Sequence, residues 1–221
     1  MGVLDIIGGY YKEFLSGLWV TVQLCLLIWP IGILAGALLG VAGARWKTVV
    51  GIPSRLASFV LSGIPIIVLL FWLHYPLQYL LDITIKPFYT AAGALCLVNT
   101  LLVADLIRAA ILEFPGQYVM SAKVCGLSNR ETVIRIQLPI IARQALPNLL
   151  FIQVGMLQAT IFASLISVGE IFRVAQRINS EVYRPVEIYT ALALFFLAVC
   201  LPLHGLAQYL KKRYTRNLSE R

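Results

Sequence analysis

From Gly17 to Ala44 the chain carries no charged residue, and that run restricts its fold more than any other feature. A helix of roughly 20 apolar residues crosses the hydrocarbon core of a bilayer, whereas a helix on a soluble domain needs a polar face. Comparable runs recur near residues 56–80, 88–114, 149–168 and 188–210. Backbone in lipid must satisfy its own N–H and C=O groups, so five such runs predict five helices. The bulk composition agrees: 60% of residues are hydrophobic, only 13% are charged, and the mean hydropathy is +0.85. The expectation is an all-α, multi-pass integral membrane protein, with residues 1–221 forming one transmembrane domain.

The formal charge of +8 raises the question of nucleic acid. The basic residues do not sit among aromatic stacking platforms, as a nucleic-acid surface would have them. They flank the apolar runs: Arg45, Lys47 and Arg55 after the first, and Lys123, Arg130, Arg135 and Arg143 after the third. Lys211, Lys212, Arg213 and Arg216 follow the fifth. The alternate junctions hold Lys12, Lys86 and an amphipathic segment, about 170–187, where Arg173, Arg177 and Arg184 are offset by Glu170, Glu181 and Glu187. The bias of lysine and arginine toward the cytoplasmic face then puts the N-terminus outside and the C-terminus in the cytoplasm. Ile171, Val174, Ala175, Ile178 and Val182 give the 170–187 segment one apolar face, suited to a short helix on the outer surface. Cys25, Cys96, Cys125 and Cys200 show no ligand spacing, and no metal is expected. The opening residues lack the basic stretch of a signal peptide, so the first span is expected to stay attached.

Most of the polar chemistry is concentrated between the third and fourth runs, in the island Met120–Pro139. Ser121 and Ala122 are small and permit close approach, and Gly126 reads as a glycine C-cap. Val133, Ile134, Ile136 and Leu138 then mark an amphipathic turn, with Pro139 expected to stop it. Within the spans, Gly32, Gly36 and Gly40 recur every four residues as a smooth ridge for another helix, inside this chain or in a neighbouring subunit. Pro30 is a candidate kink. Gly63 and Pro65 interrupt the second run, and His74 with Tyr75 reads as an interfacial anchor. Asp105 and Arg108 lie on one face of the third run, where a lone carboxylate costs about 2.5–3.5 kcal/mol. A structural ion pair is therefore the expected arrangement, with a proton relay as the other reading. Asn99, Gln153, Gln158 and Thr160 are buried-amide and hydroxyl positions whose partners are each other or a ligand.

The island also resembles a known loop. Membrane subunits of bacterial ABC importers carry E-A-A-x3-G-x9-I-x-L-P. Ala122, Gly126, Ile136, Leu138 and Pro139 fall in register with it, while Met120 and Ser121 replace the glutamate and first alanine. The opening Gly17-Leu18-Trp19-Val20-Thr21-Val22-Gln23-Leu24 is similar to the first helix of the same family, and Ser62-Gly63-Ile64-Pro65 resembles its Arg-Gly-Thr-Pro. The polar amino acid permeases of that family (histidine, glutamine and arginine types) are the nearest in character. Their Lys-Asp-Thr-Ser-Leu stands here as Gln158-Ala159-Thr160-Ile161-Phe162.

The resemblance implies a type I ABC importer permease fold in a bacterial inner membrane, with a coupling loop at about 115–140. It also implies three kinds of partner: a second permease subunit, cytoplasmic ATPases and an extracytoplasmic solute-binding protein. The replaced family positions favour a heteromeric permease pair, with a homodimer as the alternative. No G-x-x-x-x-G-K-[ST] occurs, so the chain is expected to bind no cofactor itself, with ATP and Mg on the partner ATPase. Met120, Ser121, Ala122, Val124, Gly126, Leu127 and Ser128 are the residues expected to meet that ATPase. Gly63, Pro65, Asn99, Gln153, Gln158 and Thr160 are the candidates for the solute path. The competing class is a stand-alone ion-coupled secondary transporter, but the inverted halves typical of such proteins are not evident.

Overall fold

The computed structural model describes residues 2–215, which places Arg216 of the basic tail outside the described residues. All regular structure among them is helical. Four helical stretches are long and apolar enough to cross a membrane: Tyr11–Arg45, Pro87–Leu112, Asn129–Ile166 and Pro185–Tyr214. The remaining expected span, the second run, is a bent pair, Lys47–Ser62 and Ile66–Leu80, turned by 98° at the intervening residues. Gly63 ends the first half, and Pro65, with ψ of 137°, enters the second in a non-helical conformation. The second run is therefore two short rods with an exposed corner, not one rod.

The centre of the fold is α2 (Tyr11–Arg45) against α6 (Pro87–Leu112). Gly32, Gly36 and Gly40 all face α6, which answers the question of which helix uses the ridge. A Cβ on Gly36 would lie 2.6 Å from Val103 Cβ and 2.7 Å from the Thr100 carbonyl oxygen. One on Gly40 would lie 2.7 Å from the Ala104 oxygen. In lipid no hydrophobic force separates apolar helices from apolar solvent, so close van der Waals packing has to hold them together. Backbone-to-backbone approach supplies it. The opposite face of α2 exposes Leu26, Leu34 and Leu38, as a wall against acyl chains requires. α2 continues through Pro30 without a break in the helix.

Leu24 and Ile28 of α2 share one core with Ala91 and Leu95 of α6, Leu70 of α4 (Ile66–His74), and Met156 and Ala159 of α9 (Leu138–Ala159). A second cluster joins Ile6 of α1 (Val3–Gly9) to Ile171, Val174 and Ile178 of α10 (Ile171–Val182). Ile188 and Leu192 of α11 (Pro185–Thr215) complete it.

Pro139 does not stop a helix. Helical structure continues from Asn129 to Ile166, so Arg143 and Pro147 lie inside the span and not before it. Immediately upstream the chain makes a π-turn over Val133–Gln137, closed by Leu138 N–H donating to the Val133 carbonyl. The wider turn gives the proline ring the room that an α-turn denies it. The same device precedes Pro53: a π-turn at Lys47–Gly51, then helix α3 (Ile52–Ser62) with its proline in the first turn.

The amphipathic segment forms α10 as its spacing predicts, but one of its charges is not on the surface. Glu170 is fully buried and caps the helix, its carboxylate accepting from Phe172 N–H and Arg173 N–H at 2.8 Å each. Ile171 N–H donates to Thr21 Oγ1 of α2 at 3.3 Å, so three orphan donors of one helix end are satisfied. Burial pushes the Glu170 carboxyl up to about 7, against the lowering effect of those two N–H groups.

Candidate coupling segment and transport path

The island folds as two short helices joined by a tight corner. α7 (Gly116–Val124) ends at Cys125, and Gly126 follows with φ of 78°. Leu127 N–H donates to the Ala122 carbonyl and Gly126 N–H to that of Lys123, both at 3.0 Å. These two bonds are the Schellman closure, and the positive φ is why glycine stands there. Ser128 then caps α8 (Asn129–Thr132): its Oγ accepts from Glu131 N–H at 3.3 Å, while Ser128 N–H donates to Glu131 Oε2 at 3.1 Å. Both sides of the corner are thus fixed by short-range bonds.

The seven residues expected to meet an ATPase divide by exposure. Ala122 is 3% exposed, while Met120 and Val124 are 68% and 84% exposed. A shallow groove of about 510 Å3 runs along this face, lined by Gly116, Gln117, Met120, Ser121, Val124 and Cys125. Gly126 and Ser128 shape the corner and Leu127 is half-buried. The outward face of α7 sets Met120 and Val124 beside Gln117 and Ser121 and carries no carboxylate.

Behind the loop, Arg108 Nη2 meets Asp105 Oδ1 at 2.6 Å. The pair has two further partners that sequence reading missed. Ser58 Oγ donates to Asp105 Oδ2, and Arg108 Nη1 donates to Ser54 Oγ at 3.3 Å. Ser54 and Ser58 lie four residues apart, one turn on the same face of α3. That spacing was a legible signal. The four side chains tie the first half of the bent pair to the lower end of α6.

The path candidates separate into two groups. Asn99 and Gln153 are 0% and 4% exposed and exchange amide hydrogen bonds, Asn99 Nδ2 to Gln153 Oε1 at 3.0 Å and Gln153 Nε2 to Asn99 Oδ1 at 3.1 Å. Asn99 Nδ2 also donates to the Ile28 carbonyl at 2.9 Å, reached because Gly32 has no side chain in the way. Thr160 is buried, its hydroxyl donating to the Leu157 carbonyl at 2.7 Å. These three residues do not line an open surface: their polar atoms are used within the chain, as buried amides and hydroxyls require. Gln158, Gly63 and Pro65 are exposed.

A further polar cluster lies at the opposite end of the bent pair. Gln78 Nε2 donates to Thr90 Oγ1 at 3.0 Å and lies 3.1 Å from His74 Nδ1, while Gln78 Oε1 accepts from Ile85 N–H at 2.8 Å. His74 is thus a tethered member of a network more than a free anchor. Gln78, one turn after it, carried the signal.

A family model described as "Binding-protein-dependent transport system inner membrane component" matches residues 30–216. The chain belongs to that family. This inner membrane component is 29% identical over 198 residues to the octopine transport system permease protein of Rhizobium radiobacter, covering 85% of this chain and 80% of the relative. It is 27% identical to the glutamine transport system permease protein of Escherichia coli K12, with 89% and 88% covered. The arginine ABC transporter permease protein of Haemophilus influenzae is 28% identical, with 93% and 97% covered. Among solved structures, an amino acid ABC transporter crystallised with histidines superimposes with a TM-score of 0.84 at 23% identity, over 96% of this chain and 99% of that one. The methionine ABC transporter in an inward-facing form gives 0.71 at 16% identity. The permease fold is therefore the type I arrangement, and the inner-membrane location follows from the family.

Proposed function

We propose that this chain is one of two permease subunits of an ATP-driven importer for a polar amino acid or an amino acid derivative. The observation that carries the reading is the exposed corner at Ser62–Pro65. Irregular backbone at membrane depth is tolerated only where it lines a water-filled cavity or meets protein. A corner held open between two apolar rods suits a solute path with a second permease on its far side. Gly63, Pro65 and Gln158 are the residues we assign to that path, while Asn99, Gln153 and Thr160 hold the helices behind it. The names of the similar permeases, for octopine, glutamine and arginine, support a solute of this class.

Coupling runs through α7. Its outward face, Met120, Ser121 and Val124, seats in a groove of a cytoplasmic ATPase that holds ATP and Mg. Movement of α7 is passed to α6 and α9, the rods on either side, and switches access between the two faces. Met120 makes an apolar, adaptable contact where the family loop offers a carboxylate. The orientation is N-terminus outside and C-terminus inside, and the solute arrives on an extracytoplasmic binding protein. The basic patches at the chain's junctions support that orientation.

The test is solute-stimulated ATP hydrolysis by the assembled transporter in liposomes. Val124→Asp alters an exposed side chain and leaves the fold intact, and it is expected to abolish stimulation while the permease still inserts. Gly126→Pro, which forces φ to about −65°, is expected to do the same by breaking the corner. Normal stimulation in both variants, or solute uptake driven by an ion gradient with no ATPase present, refutes the assignment.

A further inference from the structure

Between the start of α2 and the start of α11 the helices leave a half-open cavity of about 470 Å3. Ile7, Phe14, Leu18, Ala191, Leu192 and Phe195 are among its walls, and Tyr11 is the one polar-tipped residue lining it. The second core cluster fixes this gap from behind. With Ile6, Ile171, Ile188 and Leu192 already packed together, α1 cannot swing in to fill it. The mouth is continuous with Leu15, Trp19, Leu194 and Leu197, all exposed on the sides of two membrane-spanning helices. At the rim, Lys12 Nζ stands 5.9 Å from the centre of the Tyr11 ring. The acid on the neighbouring helix, Asp5, is engaged by Gly2 N–H at 2.7 Å.

We propose that this cavity is a binding site for a membrane phospholipid, with one acyl chain in the gap and the phosphate on Lys12. An apolar cavity of this kind stays free of water, and its walls lack contact partners until a hydrocarbon enters. Aromatic residues such as Tyr11 and Trp19 favour the boundary between hydrocarbon and headgroups. A lysine there extends its ammonium into the headgroup layer while its stem stays against apolar surface. The site therefore offers an apolar slot and, beside the Tyr11 that lines it, a cation, the two features that define a phospholipid. It makes no use of the solute path or of α7.

The experiment is native mass spectrometry of the assembled transporter, purified in mild detergent and supplied with dioleoyl phosphatidylglycerol. The expected result is one retained phospholipid per copy of this chain. Ala191→Phe fills the slot and is expected to lower retention at least about tenfold, since each methylene shut out loses its burial. Leu194→Trp obstructs the mouth from an exposed position and serves if the first variant folds poorly. Lys12→Glu is expected to lower retention of phosphatidylglycerol about fivefold and to leave retention of uncharged diacylglycerol unchanged. Wild-type retention in the two slot variants overturns the site, and equal loss of both lipids in Lys12→Glu overturns the assignment of the phosphate. Cross-linking of Leu15→Cys to another protein chain shows a helix in the slot and overturns the proposal as well.

Discussion

Replacing Gly32 by alanine is the most searching perturbation of this fold. An added Cβ would lie 2.3 Å from Asn99 Nδ2, 2.5 Å from its Cγ and 2.7 Å from its Cβ. The near atoms belong to the base of a short side chain, which cannot swing aside while keeping its bonds. Either α2 and α6 separate, or Asn99 leaves both the Ile28 carbonyl and Gln153. Three hydrogen bonds at about 0.6 kcal/mol each in a membrane protein amount to about 2 kcal/mol. Overpacking adds about 1–3 kcal/mol, and the better helix propensity of alanine returns up to about 1 kcal/mol. The net expected loss is about 2–5 kcal/mol, read as a shift in the unfolding transition in mixed micelles. Gly93→Ala on α6 is the control, because nothing lies within 4 Å of a Cβ there, and it should be neutral or slightly stabilising. Adding Asn99→Ala to Gly32→Ala should recover part of the loss, making the pair less than additive. If Gly32→Ala unfolds with Gly93→Ala, the ridge is not in contact with α6.

Arg108→Met leaves Asp105 with only Ser58 and is expected to destabilise the protein by about 1–3 kcal/mol, more than Ser54→Ala; equal effects in a chemical unfolding series would show that the ion pair is not the centre of that cluster. Glu170 makes stability depend on pH. Its folded value is about 7 against an ordinary 4.5, so the folded chain keeps a proton that the unfolded chain releases. Stability therefore falls as pH rises through that window, and the loss is complete above about 7. Glu170→Gln should flatten this slope, checked by unfolding midpoints between pH 5 and 8, and a slope unchanged in the variant would assign it to another group.

Much of the fold is written in the apolar runs, because lipid leaves the backbone only one way to satisfy itself. The break at Gly63 and Pro65 was also legible, since both residues act on the backbone locally. Partner choice was not. Small residues at Gly32, Gly36 and Gly40 announce close approach without saying to which helix, and only the assembled fold pairs them with α6. Asn99 and Gln153 are 54 residues apart, a distance across which no local pattern runs. Pro139 reads as a stop in sequence because the ring excludes an α-turn, whereas the preceding π-turn is a local widening that periodicity does not encode. Glu170 reads as a surface charge because acids generally are. Its burial depends on Thr21 and Gly17 of a helix about 150 residues earlier in the chain. Gly126 was readable for the opposite reason, since its positive φ and both closing bonds lie within five residues.

The glycine seam also limits how the protein can work as a machine. Where the glycines of one helix lie against backbone and Cβ atoms of the next, little compliant side chain is left to shear or repack. A displacement applied to the lower end of α6 therefore carries α2 with it as a single strut. Play is left to elements without such a seam: the second rod of the bent pair, Ile66–Leu80, and α9, which meets α6 through the Asn99–Gln153 amides and through apolar side chains. On the coupling proposed above, a stroke delivered at α7 is expressed there as a change of angle, with the strut as the fixed frame against which it is measured.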